Sequence, residues 1–159
     1  MTSIRIQLGI IPAVAALWLA ACGATPSSGA APSPSPALIH TASMKVGDKT
    51  LTVLKNTKGL TLYYFTPDTA TKVACTAGCA TNWPPLLATS GTPTSNPVLP
   101  GQLTVLSGAN GYQVLYNGHP LYTYSKDGDA GNALGQGVGG KWFVATPDLA
   151  AMAASTPSY

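Results

Sequence analysis

Apolar and polar residues alternate in short runs along this chain, and the rhythm of an amphipathic helix is almost absent. Runs rich in Val, Leu, Tyr and Thr, broken by Gly, Pro, Asn and Asp, predict an all-β domain. Strands are expected at 39–46, 50–55 and 60–66, then at 102–107, 111–116, 120–125 and 141–146. Asn56 to Gly59 and Asn117-Gly118 read as hairpin turns, since Asn-Gly tolerates the positive φ angles of a two-residue turn. Residues 88–101 form a connector, and the Ala-rich 148–159 reads as a last helical turn or a frayed end.

The predicted strands come in two sets. Tyr63, Phe65, Asp68 and Trp83 recur as Tyr122, Tyr124, Asp127 and Trp142, each pair 59 residues apart. Each Asp is followed 15 residues later by a Trp. Self-similarity at a fixed offset means that one structural unit is used twice. An isolated hairpin is marginal in water, so neither unit buries its apolar face alone. The expected architecture is two tandem hairpin-based repeats packed through apolar faces as one compact domain with approximate two-fold symmetry. Strand alternation puts Tyr63 and Phe65 on one face, and likewise Tyr122 and Tyr124. With Trp83 and Trp142, these rings are expected to supply much of the core. The turn of the first copy reads as two residues longer, which aligns Val53-Leu54 with Val114-Leu115 at an offset of 61.

The N-terminal segment has a different character. Arg5 precedes an apolar stretch from Leu8 to Leu19, which ends in Leu-Ala-Ala-Cys at Cys22. A charged start, a short apolar core and small residues before a cut predict a secretory signal over residues 1–21. That core is shorter than the roughly 20 apolar residues needed to cross a bilayer. The Leu-Ala-Ala-Cys run resembles a bacterial lipobox, which implies cleavage before Cys22 and lipid on its thiol. Residues 22–37 then read as the lipidated Cys and a Pro/Ser/Ala-rich tether, too poor in bulky side chains to fold. Such a tether spans about 20 Å as coil, or about 50 Å as polyproline. The folded domain is expected over 38–150, with repeat 1 at about 50–87 and repeat 2 at about 111–147, followed by a tail at 151–159. The implied address is the extracytoplasmic face of a bacterial cell membrane. In a Gram-negative host it would be the outer membrane, because Gly rather than Asp follows Cys22.

Charge narrows the functions further. After residue 21, seven lysines against five aspartates leave +2, with no Arg and no Glu. That balance argues against a nucleic-acid surface. The only carboxylates are Asp48, Asp68, Asp127, Asp129 and Asp148, which limits acid–base chemistry. With Cys22 lipidated, Cys75 and Cys79 remain as a pair in an oxidising compartment.

Taken in order, "LTLYYFTPD", "CTAGCATNWPPL", "YNGHPLYTYSKD", "GQGVGGKWFV" and Pro147-Asp148 resemble a family of bacterial predicted lipoproteins. That family has a Tyr-x-aromatic-x-x-Asp motif and is also described as a secreted repeat of unknown function. The resemblance implies an envelope lipoprotein of tandem β repeats, and no reaction, substrate or catalytic residue.

The residues that can carry chemistry are few. Cys75 and Cys79 enclose a short loop, and a bridge there stabilises by roughly 2 kcal/mol on the chain-entropy model. The same pair can be read as redox-active or metal-binding. Their +59 counterparts are Leu134 and Val138, so apolar packing is expected to replace the bridge in the second copy. His119 is a weak metal candidate, imaginable with His40 and the thiols, but no ligand spacing supports zinc. Its counterpart is Leu60, so the repeat itself does not require a histidine.

Asp68 and Asp127 can be read as a hydrolytic carboxylate pair. The plainer expectation is that each accepts backbone N–H bonds and fixes the turn after its aromatic strand. Asp127 and Asp129 in "DGDAGN" resemble the start of a calcium loop that lacks its distal Glu. Gly135, Gly137 and Gly140 match a dinucleotide fingerprint in the wrong context, ahead of a strand. The expectation is a non-enzymatic envelope module with no cofactor and no metal. It is held to the membrane through Cys22 and meets an envelope protein or glycan. A redox- or metal-linked protein using Cys75/Cys79 or His119 is the first alternative, and a hydrolase using Asp68 and Asp127 the second.

Overall fold

A computed structural model describes residues 36–89 and 91–153; the expected signal segment, Cys22 and most of the tether lie outside the described residues. Two hairpins form the frame. β1 (Ile39–Val46) pairs antiparallel with β2 (Lys49–Asn56) across Gly47-Asp48, from Ile39 opposite Asn56 to Val46 opposite Lys49. Gly47 has φ +60°, which a residue without a β-carbon adopts readily. A two-residue strand within the connector, β4 (Ser95–Asn96), runs parallel to the start of β1. In the second copy, β5 (Leu103–Gly108) pairs with β6 (Gly111–Tyr116), which pairs in turn with β7 (His119–Pro120). The β6–β7 turn is Asn117-Gly118, with φ +50° and +83°, both positive as the sequence predicts for this dipeptide.

The aromatic runs do not sit inside these hairpin sheets. β3 (Tyr63–Phe65) pairs antiparallel with β8 (Trp142–Val144), placing Tyr63 opposite Val144 and Phe65 opposite Trp142. The run expected as a strand at 120–125 is mostly isolated bridges, from Tyr122 to Tyr63 and to Pro85. Hydrogen bonds around these segments come in matched sets. Leu54 N–H donates to Ala145 O, Ala145 N–H to Leu62 O, and Leu62 N–H to Leu54 O. Val114, Leu86 and Leu121 close the same triangle in the same sense. Tyr63 and Tyr122 exchange backbone bonds of 2.8 and 2.9 Å. Thus the motif strand of each copy hydrogen-bonds the Trp-bearing segment of the other. The copies are threaded together by backbone as well as packed through apolar faces.

These bonds correct the alignment of the first turn. They equate Leu54 with Val114, an offset of 60 rather than 61. Lys55 faces Thr61 across a three-residue turn as Leu115 faces Pro120 across a two-residue one. The Val-Leu dipeptide slides one position, because both apolar residues of each pair are buried and either alignment satisfies burial.

Alternation on the motif strands feeds two cores. Leu62 and Leu121 enter one with Ile39, Leu54, Leu86 and Val114. Tyr63 and Tyr122 enter the other with Cys75, Trp83, Trp142 and Val144. One helical turn, α1 (Gly78–Asn82), lies outside the sequence expectation; it carries the chain from Cys79 to Trp83. Of the segment 148–159, read as a helical turn or a frayed end, the described residues 148–153 form no helical turn. After a turn at Thr146–Leu149 the chain runs irregularly, with Met152 N–H donating to Asn117 O.

Candidate functional site

The second core is built around a column of rings. Trp83 and Trp142 lie parallel with centroids 3.7 Å apart, capped by Tyr124 on Trp83 at 4.1 Å and by Phe65 on Trp142 at 4.3 Å. Tyr63 meets Trp83 edge-on at 5.5 Å, and Tyr122 meets Trp142 edge-on at 5.2 Å. Most aromatic pairs settle offset or edge-to-face with centroids at about 4.5–7 Å. The central indole pair is closer and more eclipsed than that. The cross-copy strand pairing holds each Trp against the other.

The phenols of Tyr63 and Tyr122 are fully buried and each needs an acceptor. Tyr63 Oη donates to Asp127 Oδ2 at 2.7 Å, and Tyr122 Oη donates to Asp68 Oδ2 at 2.8 Å. Each copy's tyrosine is therefore satisfied by the other copy's aspartate. The second carboxylate oxygen takes a backbone donor from its own loop: Ala74 N–H for Asp68 at 2.7 Å, and Leu134 N–H for Asp127 at 2.9 Å. Each aspartate thus accepts a backbone N–H six or seven residues further on, and the other copy's phenol as well.

Burial sets the electrostatics. Desolvation pushes both carboxyls above the ordinary range, opposed by the Tyr and backbone donors and, for Asp127, by nearby Lys55. Desolvation, and then the adjoining carboxylate, push the Tyr63 and Tyr122 phenols far up, so both stay protonated. Burial lowers Lys55, with Asp127 and Asp129 pulling the other way.

Lys55 is the participant the sequence reading missed. It is 4% exposed, and its Nζ donates to Thr61 Oγ1 at 2.9 Å and Ala130 O at 2.6 Å. The ammonium thus ties down the loop that resembled a calcium site. In that loop Asp129 Oδ1 accepts Gly131 N–H at 2.8 Å, and Asn132 Nδ2 donates to Asp127 O. Gln113 was also passed over; it is buried and donates from Nε2 to Leu121 O at 3.1 Å. The available signal for Gln113 was a polar residue inside an apolar run, "YQVL"; Lys55, at the end of "TVLK", carried none.

Cys75 and Cys79 are bonded, with sulfurs 2.01 Å apart, Cys75 fully buried against the ring column and Cys79 partly so. The expected apolar substitute for this bridge is half corrected. Val138 packs on the column as Cys79 does, but Leu134 is 59% exposed. The loop after Asp127 is one residue longer to its N–H donor, so Gly135 rather than Leu134 follows the pattern of Cys75. A β-carbon at Gly135 would lie 2.7 Å from Tyr63 Cε1 and 2.9 Å from Trp83 Cη2. Glycine there lets the rings close. Gly137, Gly139 and Gly140 all have positive φ in a tight turn before β8, which makes a loop and not a phosphate-binding helix start.

His119 packs edge-on to Tyr64 at 4.9 Å, and its Nε2 lies 3.0 Å from Ala150 O. Its Nδ1 is buried without a partner, and burial lowers its pKa. Among the described residues no three His, Cys, Asp or Glu side chains gather as a metal site, so His40, His119 and the cysteines are not brought together. On the outer face, a groove of about 440 Å³ is lined by Ala88, Thr89, Val105, Ser107 and Tyr112, the last 64% exposed.

No curated protein and no solved structure matches this chain. A family profile described as "Secreted repeat of unknown function" matches it twice, over residues 47–87 and 104–146. The second match begins at the second residue of β5 and takes in the β5–β6 hairpin except Leu103, earlier than the repeat start expected near 111. These two segments hold both motif strands, Trp83 and Trp142 and both buried aspartates, and together they cover more than half of the sequence: the chain belongs to the family of secreted repeats of unknown function.

Proposed function

We propose that this protein is a lipid-anchored module of the bacterial cell envelope that acts by binding and catalyses no reaction. Its anchor is an acylated Cys22, and residues 23–37 hold the domain off the membrane. The family's description as a secreted repeat agrees with an extracytoplasmic location, and no helix among the described residues is long and apolar enough to cross a membrane. The reciprocal contacts support an approximate two-fold relation between the copies, with the Tyr63–Tyr122 pair near its centre. The Tyr-x-aromatic-x-x-Asp motif is read as an architectural device rather than a catalytic one.

One observation carries this reading: the two carboxylates that the repeat duplicates are committed internally, while Asp48, Asp129 and Asp148 are exposed and join no cluster of acids and bases among the described residues. Asp68 and Asp127 are buried, and each accepts a phenol and a backbone N–H. A general acid or base has to reach substrate directly or through one water. The outer groove beside exposed Tyr112 and Val105 offers a surface for recognition, which suits an envelope protein or a glycan. The test uses the full-length chain extracted with its membrane. Intact mass showing diacylglyceryl on Cys22, together with capture of one envelope partner lost in Tyr112→Ala, is the expected result. Turnover of an envelope glycan or ester that disappears in Asp68→Asn would replace the module with an enzyme.

A further inference from the structure

The eclipsed indole pair asks for an explanation beyond core filling, because edge-to-face or offset packing is the ordinary preference. Two parallel indoles at 3.7 Å overlap their π systems and can share one electron hole. Each indole is also met by a phenol whose proton already points at a carboxylate. A buried phenol gives up an electron readily only if its proton has somewhere to go.

We propose that the ring column with its two Tyr–Asp pairs is a one-electron donor site, which takes the oxidising equivalent of an oxygen-centred radical and stores it on Tyr63 or Tyr122. This is a stoichiometric activity and does not depend on the module reading above. The partly buried Tyr124 caps the column at one end and is the point of approach for an oxidant that cannot enter the core.

A carbonate radical anion takes one electron from the Trp83–Trp142 pair and leaves as carbonate. The indole pair is left as a radical cation. Tyr63, edge-on to Trp83, passes one electron to the pair and restores it. Its O–H bond breaks, and the proton moves along the 2.7 Å hydrogen bond to Asp127 Oδ2, where a carboxyl O–H forms. The protein then holds a neutral tyrosyl radical and a protonated Asp127. Tyr122, Trp142 and Asp68 supply the same route from the other side.

Burial suits both partners to this transfer. It keeps the phenols protonated, so the electron cannot leave from a phenolate, and it makes the carboxylates better bases than exposed ones.

The experiment oxidises the full-length wild-type chain at neutral pH with carbonate radical from flash photolysis, followed by freeze-quench and electron paramagnetic resonance. The expected product is a tyrosyl radical whose relaxation is unchanged by a soluble nickel(II) complex, with formation slowed in deuterated buffer. The Tyr63→Phe/Tyr122→Phe double variant is expected to lose that shielded signal. A radical relaxed by nickel, as on exposed Tyr112, or a shielded signal that persists in the double variant, would overturn the proposal. Should the double variant fail to fold, Tyr116→Phe decides: a shielded, deuterium-sensitive signal that persists there supports the Tyr–Asp pairs, and its loss would place the radical on buried Tyr116 and overturn the proposal.

Discussion

Replacing Tyr63 by Phe removes one hydroxyl from the centre and nothing else. The ring stays, so no cavity opens, but Asp127 Oδ2 loses its donor at 2.7 Å and Gly135 N–H loses an acceptor at 3.3 Å. Both Tyr63 and Asp127 are fully buried, so water does not replace the lost partner. A hydrogen bond to a charged group contributes about 1.5–3 kcal/mol, and an orphaned buried acceptor costs its desolvation. The expected destabilisation is about 2 kcal/mol, which for a domain of this size lowers Tm by roughly 8 °C. Asp127→Ala is expected to cost about 3 kcal/mol, because it strips the acceptor from Leu134 N–H as well. In the double variant the losses overlap, giving a coupling energy of about 1.5 kcal/mol or more. Urea unfolding followed by Trp fluorescence measures all three. A Tyr63→Phe cost below about 0.5 kcal/mol, or coupling that is absent within error, would refute the assigned pairing.

Other outcomes follow from single contacts. Gly135→Ala places a β-carbon against Tyr63 and Trp83 and is expected to cost about 1–3 kcal/mol by overpacking, read as a lowered urea midpoint. Ala77, which precedes α1, has φ +49° and ψ −121°, while glycine holds the corresponding place at Gly137; Ala77→Gly is expected to stabilise by about 1 kcal/mol in the same assay. Because burial raises Asp68 and Asp127 in the fold, their contribution is fully present below the unfolded value of 3.8 and is lost as pH rises through the folded value. Acidifying from neutrality toward pH 3.8 should therefore stabilise wild type relative to Asp68→Asn/Asp127→Asn, and a fall in that difference would contradict the sign.

The duplication was legible because Tyr, an aromatic, Asp and Trp return at one spacing, and the Asn117-Gly118 turn because its backbone angles favour that dipeptide. The all-β character follows from the same alternation. The crossing between copies was not legible. An offset of 59 says which residues are equivalent, and is silent on whether Tyr63 meets Asp68 or Asp127. Only the backbone pairing of β3 with β8 decides that, and it is a long-range contact. Lys55 was hidden for a related reason. A lysine at a strand end reads as solvated, and its burial depends on Thr61 and on Ala130, which lies 75 residues away. Leu134 misled in the opposite sense: a one-residue insertion moved it to the surface and put Gly135 against the rings.

Threading of the two copies is tested most directly by cutting the chain at Ser90, between them. Segments 36–89 and 91–153 can be prepared separately and followed by near-ultraviolet circular dichroism, where the parallel Trp83–Trp142 pair gives a strong signal. Each segment alone leaves a motif strand without its partner, so each is expected to be unfolded. Mixing them in equal amounts is expected to restore the Trp signal and a cooperative melt. A segment that folds alone with its own Tyr and Asp paired would contradict the cross-copy architecture.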